Sequence, residues 1–320
     1  MSDHPMSIPM RTTTSTIATP KKPSLHYKEH YTAWAFAAPA MILLLIFLVI
    51  PFFIAIYYSL TNARLVSGPL HTNFVGLGNY ILMLGDDSLH QALLNNSVFG
   101  MVMVPVQTGL ALLLAMLVNQ KMRGMAVFRT IYFSPIVTPL VVVAVVWSFL
   151  YNPGQGLINE FIKTVSFGHL GPYNWLSNPA LALPAIILLS IWQGVGFQMV
   201  VYLAGLQGIP ESLYEAARVD GAGRWRQFWH ITLPQLRNTI IFVLIATTIL
   251  SFKLYTQVEV MTQGGPENAT ATVVWYIVHQ SIHNVRVGYA SAVAVVFFLI
   301  LLIRVIPILR SVIRTEEREL

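Results

Sequence analysis

The 320-residue sequence contains no cysteine, which excludes disulfides, thiolate metal sites and a cysteine nucleophile. It is also poor in charge: Asp, Glu, Lys and Arg make up 10% of the chain against 55% apolar residues, where soluble domains carry roughly 25% charged residues. A water-soluble chain of this length with so few charges has too little polar surface to cover itself. Lipid is therefore the solvent for much of it. No G-x-x-x-x-G-K-[ST] phosphate loop occurs, so nucleotide hydrolysis by that route is excluded. Acidic residues are absent from the interior of every long apolar run, the nearest being Glu259 at the end of one. A self-sufficient carrier driven by protons or sodium, the main rival to an externally energised transporter, wants such groups near mid-membrane. No serine, histidine and acid arrangement suggests hydrolysis. His279 and His283 stand four apart, but a general-base glutamate and a third ligand are missing, which favours an interfacial helix over a metal site.

What the sequence does have is six apolar runs: residues 34–58, 98–118, 131–151, 181–206, 239–260 and 290–309. Each meets the length of about 20 residues needed to cross the hydrocarbon core. Pro51, Pro105, Pro135, Pro139 and Pro184 fall inside them, and are tolerated where neighbouring helices re-satisfy the backbone. The expected fold is an all-α membrane protein of six transmembrane helices. Residues 1–30, rich in Thr, Ser and Pro, read as a flexible tail rather than a cleaved signal. Residues 31–314 form the membrane domain and 315–320 a short C-terminal tail. Alternate connections carry 14 Lys and Arg residues, among them Lys121, Arg123, Arg129, Arg218, Arg224, Arg226 and Arg237, against Arg64, Lys163 and Arg286 in the others. That bias places both termini inside. The net charge of +6 is then a topology signal, and a nucleic-acid role is disfavoured. Asp86 and Asp87 fall in an outer loop and read as solvated.

The inner connection at 208–234 is far longer than two antiparallel helices need. Pro210 suits the start of a helix, Glu211 favours its positive end, and Gly221 suits a left-handed stop. Ala216 and Ala217 leave a small-residue face. A second amphipathic stretch with Trp225, Phe228, Trp229 and Ile231 runs to Pro234. By physics alone this segment is either a docking element for an inner-side partner or a helix lying on lipid headgroups.

The spacing Glu215-Ala216-Ala217, then Gly221, then Ile231-x-Leu233-Pro234 resembles the EAA motif of binding-protein-dependent ABC import permeases at every position. Leu203–Pro210, Val260–Pro266 and Gly288–Ala292 resemble the sugar-permease branch of the maltose and glycerol-phosphate type, as do Phe128-Arg129 and Tyr151–Asn159. Phe74–Tyr80 is similar to its first outer loop, except that Gly78 stands where an acidic residue is usual. The resemblance covers roughly 34–310. It implies a type I ABC importer permease in the bacterial cytoplasmic membrane, moving a sugar or sugar-like solute inward. It further implies that Glu215, Ala216, Ala217, Asp220, Gly221, Ile231, Leu233 and Pro234 form a coupling loop docked on an ATPase dimer. The other implied partners are a second, homologous permease and an extracytoplasmic solute-binding protein. This chain would bind no cofactor, ATP and Mg belonging to the ATPase.

Among intramembrane polar residues, Gln193, Lys253 and Tyr255 are the candidates for a solute path. Lys253 falls about 14 residues into the fifth run, roughly 21 Å along a helix; it either snorkels to the outer headgroups or faces a cavity. Arg304, near the inner end of the sixth run, reads as a snorkelling anchor. Trp192, Gln198, Tyr202 and Gln257 are further polar or aromatic groups in the fourth and fifth runs. A membrane anchor that recruits a soluble partner without transport is a second rival, which an adjacent set of ATPase, second permease and binding-protein genes would exclude.

Overall fold

The computed structural model describes residues 27–66, 72–119 and 124–319, in two compact units, 1–52 and 53–320. Most of the expected N-terminal tail, with Lys121 and Arg123, lies outside the described residues. The first unit holds α1 (Tyr27–Leu44), which begins inside the stretch read as tail, a π turn at Leu45–Val49 and the start of α2 (Ile50–Ser59). The π turn ends two residues before Pro51, whose missing N–H removes one rung of the ladder.

The second unit continues with α3 (Gly78–Leu84), α4 (Asp87–Val118), α5 (Met125–Val137), α6 (Leu140–Leu150), α7 (Leu157–Val165) and α8 (Pro179–Gln207). Beyond these lie α9 (Glu211–Val219), α10 (Arg224–Gln227), a π turn at Phe228–Thr232, α11 (Leu233–Gln235), α12 (Arg237–Phe252) and α13 (Thr256–Met261). The unit closes with α14 (Val273–Val278), a π turn at His279–His283 and α15 (Val287–Glu319), which carries helix through most of the expected C-terminal tail.

The long helices α4 and α8 are the axis of this unit, with α5 and α12 packed against them and α14 and α15 beyond. Both start on side-chain caps: Asp86 accepts the Leu89 N–H at 3.1 Å, and Asn178 accepts the Ala180 N–H at 2.9 Å just ahead of Pro179, each satisfying a helix donor that has no partner within its own helix. Phe99, Ile186, Val258, Val273 and Val293 fill one apolar core, and Ala111, Ala115, Met199 and Leu236 a second. At Gly196 the α5 backbone comes so close that a Cβ would stand 1.9 Å from the Tyr132 carbonyl oxygen.

Within the second unit, contacts between helix ends show the direction of the crossings. Asp86, at the start of α4, bonds the hydroxyls of Tyr276 and Tyr289, so the starts of α4 and α15 share one end. At the other end Arg129 Nη2 donates to Val118 O at 3.3 Å, and Gly205 abuts Thr239.

By length and composition four helices suffice to cross a membrane: Trp34–Ser59, Asp87–Val118, Pro179–Gln207 and Val287–Ile306. Counting each of two bent pairs as one span gives six. The third expected span is not one rod. Val127–Val137 and Leu140–Leu150 meet at 98°, because Pro139 supplies no N–H and drives Thr138 into an extended conformation (ψ 132°). The fifth expected helix, 239–260, stops early at Phe252, and Arg224–Gln235 meets Arg237–Phe252 at 68°. Neither Pro nor Gly marks the stop at Phe252. Tertiary partners take over the backbone instead: Asn96 Nδ2 donates to Ser251 O at 3.3 Å, Asn96 Oδ1 accepts the Val273 N–H at 3.2 Å, and Thr272 Oγ1 donates to Leu254 O at 2.6 Å. The adjacent Asn95 Nδ2 donates to Asn268 O at 2.8 Å and Ala271 O at 2.9 Å. These two asparagines pin the segment 268–273 onto α4.

Candidate functional site

The inner loop is a rigid helix–turn–helix. Pro210 caps α9 from just outside its first residue, Glu211. Gly221 stands at φ +74° with open space where a Cβ would be. Around it Ala222 N–H donates to Ala217 O at 2.8 Å and Gly221 N–H to Arg218 O at 3.1 Å. That pair of bonds is the Schellman closure of a helix end. Tyr214 Oη and Thr232 Oγ1, 3.0 Å apart, tie α9 to the second stretch, and Gln227 Nε2 donates to Ala222 O at 2.8 Å across the turn. With the loop braced from within, Glu215, Ala216 and Asp220 are exposed and Ala217 half-buried. Val219 is 88% exposed and Trp225 73%, so the outward face sets large apolar side chains among the exposed charges of Glu211, Glu215, Arg218 and Asp220. Trp225, Phe228 and Trp229 pack ring on ring at 5.5–5.9 Å. Ile231 and Leu233 are half-buried and Pro234 exposed; the π turn before Pro234 again precedes a missing donor. Beside the loop a cleft of about 920 Å³ is lined by Asn119, Gln207, Glu211, Tyr214, Arg218 and Arg224.

The path candidates divide between two places. Lys253 and Tyr255 share the break between α12 and α13, Lys253 exposed as the C-cap of α12 and Tyr255 half-buried at the start of α13. Lys253 thus ends a helix rather than interrupting one, and its charge offsets the negative end of the α12 dipole. Gln193 lies half-buried at the middle of α8. Other polar groups of the fourth and fifth runs are buried and bonded: Gln198 Nε2 to Thr247 Oγ1 at 2.6 Å and Gln257 Nε2 to Ser190 Oγ at 3.3 Å. Gln107 and Gln198 are each buried with an amide oxygen that has no hydrogen-bond partner among the described residues. Arg304, expected as an anchor at the inner end, lies exposed on α15. Its guanidinium lies 5.5 Å from the centre of the Phe252 ring and 3.4 Å from Ser97 Oγ, because helical side chains lean toward the helix N-terminus, here away from the inner surface.

At the outer end Asp86 is not simply solvated. Burial raises its pKa, but hydrogen bonds from Tyr276, Tyr289 and the N–H groups of Leu89 and Ser88 outweigh that and hold the carboxyl below its ordinary value of 3.8. Burial, then the bond to Asp86 and its charge, push the Tyr276 hydroxyl up to about 12. Gln280 Nε2 donates to Tyr276 Oη at 2.6 Å, extending the network. Trp275 donates to Glu259 Oε2 at 2.8 Å and stacks on His279, which stacks on His283 at 4.9 Å. Nothing in the sequence links Asp86 to Tyr276 and Tyr289, nor Asn95 and Asn96 to the last outer loop. The one available signal was amides standing just ahead of an apolar run.

The described residues form a multi-span helical membrane protein with a loop braced from within and a span broken at Phe252. Residues 107–315 match the family described as "Binding-protein-dependent transport system inner membrane component". The chain belongs to that family, as the inner-membrane, multi-pass permease of a binding-protein-dependent ABC importer. It is not itself an ATPase and binds no cofactor; such systems include a separate ATPase and a solute-binding protein. The chain is 34% identical over 271 residues to the probable ABC transporter permease protein YurN of Bacillus subtilis, covering 84% of this chain and 91% of that one. It is 32% identical over 306 residues to the lactose transport system permease protein LacF of Rhizobium radiobacter, covering 94% of this chain and all of that one. In fold it resembles a bacterial ABC transporter involved in the import of the acidic polysaccharide alginate, with a TM-score of 0.75 at 23% identity, over 90% of this chain and 96% of that one.

Proposed function

We propose that this chain forms one half of an inward path for a carbohydrate, beside a second, homologous but different permease, and that Gly208–Pro234 docks on the ATPase. Residues 31–314 are the permease domain in this reading, and 1–30 and 315–320 its tails. The relative that transports lactose aligns over nearly the whole chain, which supports a carbohydrate solute. Gln193 and Tyr255 line the path. A single six-span chain supplies half an enclosure, hence the second permease.

The observation that carries the docking assignment is the braced turn at Gly221, which holds α9 with Glu215 and Ala216 outward. Glu215 meets a basic group of the ATPase, and Ala216 allows close approach. Gly221→Val strains a left-handed position, and Glu215→Lys sets like charges against each other. Both variants should reach the membrane yet retain the ATPase in pull-downs at least tenfold less well, or lose solute-stimulated hydrolysis. A lipid-facing helix tolerates both, so normal recruitment and stimulation refute the assignment. Mass spectrometry of the solute released from the cognate binding protein tests the solute class: an amino acid or metal ion there defeats the carbohydrate reading.

A further inference from the structure

We infer that the break in the fifth span forms an anion-binding station on the solute path, built from Lys253 and Arg304, so that the carbohydrate carries a carboxylate, phosphate or sulfonate. The solute assignment rests on the importer reading above; the station itself rests on geometry.

Two helices act as rulers for its depth. Phe252 is the last of the 16 residues of α12, about 22 Å from the inner end at 1.5 Å per residue. Ser97 is ten residues beyond the outer start of α4 at Asp87, about 15 Å from that end. The Arg304 guanidinium touches both, at 5.5 Å from the Phe252 ring centre and 3.4 Å from Ser97 Oγ. It therefore lies between the two faces of a hydrocarbon core about 30 Å thick, and Lys253 adjoins the ring it covers. Neither cation has an acidic partner among the described residues. Asp86 is held by Tyr276 and Tyr289, and Glu259 by Trp275.

The backbone between α12 and α13 is not helical. At membrane depth such backbone persists when its groups are bonded within the protein, as Ser251 O and Leu254 O are by Asn96 and Thr272, and beside these buried residues Lys253 stands exposed. The α12 dipole offsets about half a charge, which leaves about one and a half positive charges in excess. Arg304 does not snorkel to the inner headgroups, since it leans outward onto Phe252. Intramembrane cations so placed face a pathway. An anionic group supplies the missing countercharge, and Tyr255, two residues on, offers an aromatic face to a sugar ring.

The cysteine-free sequence permits a direct test in the complete importer, reconstituted with its partner chains' cysteines removed. Lys253→Cys is treated with membrane-impermeant methanethiosulfonates of opposite charge, ethylsulfonate and ethyltrimethylammonium, each rate being referred to that with free cysteine. A positive, focused site favours the anionic reagent by about tenfold or more. Arg304→Gln in the same background should abolish that preference, and Arg304→Lys should keep most of it. No reaction with either reagent, at rest and in the vanadate-trapped state, means that the site faces lipid or is sealed against the second permease. Reaction without charge preference means that a partner carboxylate already neutralises it. Either result overturns the station and leaves the carbohydrate reading standing. A neutral sugar as the binding protein's solute overturns the anionic solute alone, and an anionic non-carbohydrate overturns only the carbohydrate reading.

Discussion

Asp86 shows how far a single side chain departs from what its neighbours in sequence suggest. In the chain it stands among polar loop residues; in space it accepts hydrogen bonds from tyrosines 190 and 203 positions away. Asp86→Ala removes a helix cap and leaves two hydroxyls without their acceptor, a loss of about 3 kcal/mol. It should lower the thermal unfolding midpoint of the detergent-purified permease, and Asp86→Asn, which keeps cap and acceptor, by about half as much. Because the folded pKa is depressed, this contribution is complete above the unfolded value and is lost as pH falls through the lower, folded one. Wild type and Asp86→Ala should therefore differ fully at neutral pH and converge once pH drops well below 3.8. Equal midpoints at pH 7 would refute the network's role.

At the scale of elements, legibility followed the chemistry that decides each feature. Gly221 and Pro139 act on their own backbone: one adopts a left-handed angle and the other withholds a donor, so a turn at 221 was readable. The 98° bend at Pro139 was hidden only because prolines are tolerated within spans. The end of α12 at Phe252 was not readable, because what ends it is Asn96 and Thr272, remote in sequence and supplying bonds that the helix would otherwise make. Asn96→Leu strands the Ser251 carbonyl and the Val273 N–H, at about 2–3 kcal/mol. It should lower the unfolding midpoint and raise amide exchange across 251–256, measured by hydrogen–deuterium exchange. Unaltered exchange there would mean that the break is held by other contacts.

For the molecule as a whole, the scarcity of charge and its placement carried most of the information. Six apolar runs and the asymmetry of Lys and Arg specified crossings and direction, since a bilayer demands length and the translocation machinery responds to positive loops. The ends marked by Asp86 with Tyr289 and by Val118 with Arg129 agree with that alternation. Reporter fusions after Asp86 and Glu267 should report the outside, and fusions after Gly124 and Gly221 the inside. An inside report at Glu267 would overturn the path of the last two spans. The surroundings of Arg304 were the least legible part, because it reaches Ser97, 207 positions back in the chain.

The asparagine pins on α4 also bear on how the chain is made. At a synthesis rate of roughly 5–20 residues per second, the 177 positions from Asn96 to Val273 emerge over about 10–35 s. Through that interval the second span sits in the membrane with Asn96 Oδ1 lacking the N–H it will bond, although Gln91, one turn back, already meets Asn95 Oδ1. A nascent chain stopped before 268 never makes the carbonyls that Asn95 Nδ2 bonds in the finished fold, so that amide has to find water or another partner, at a cost within an otherwise apolar helix.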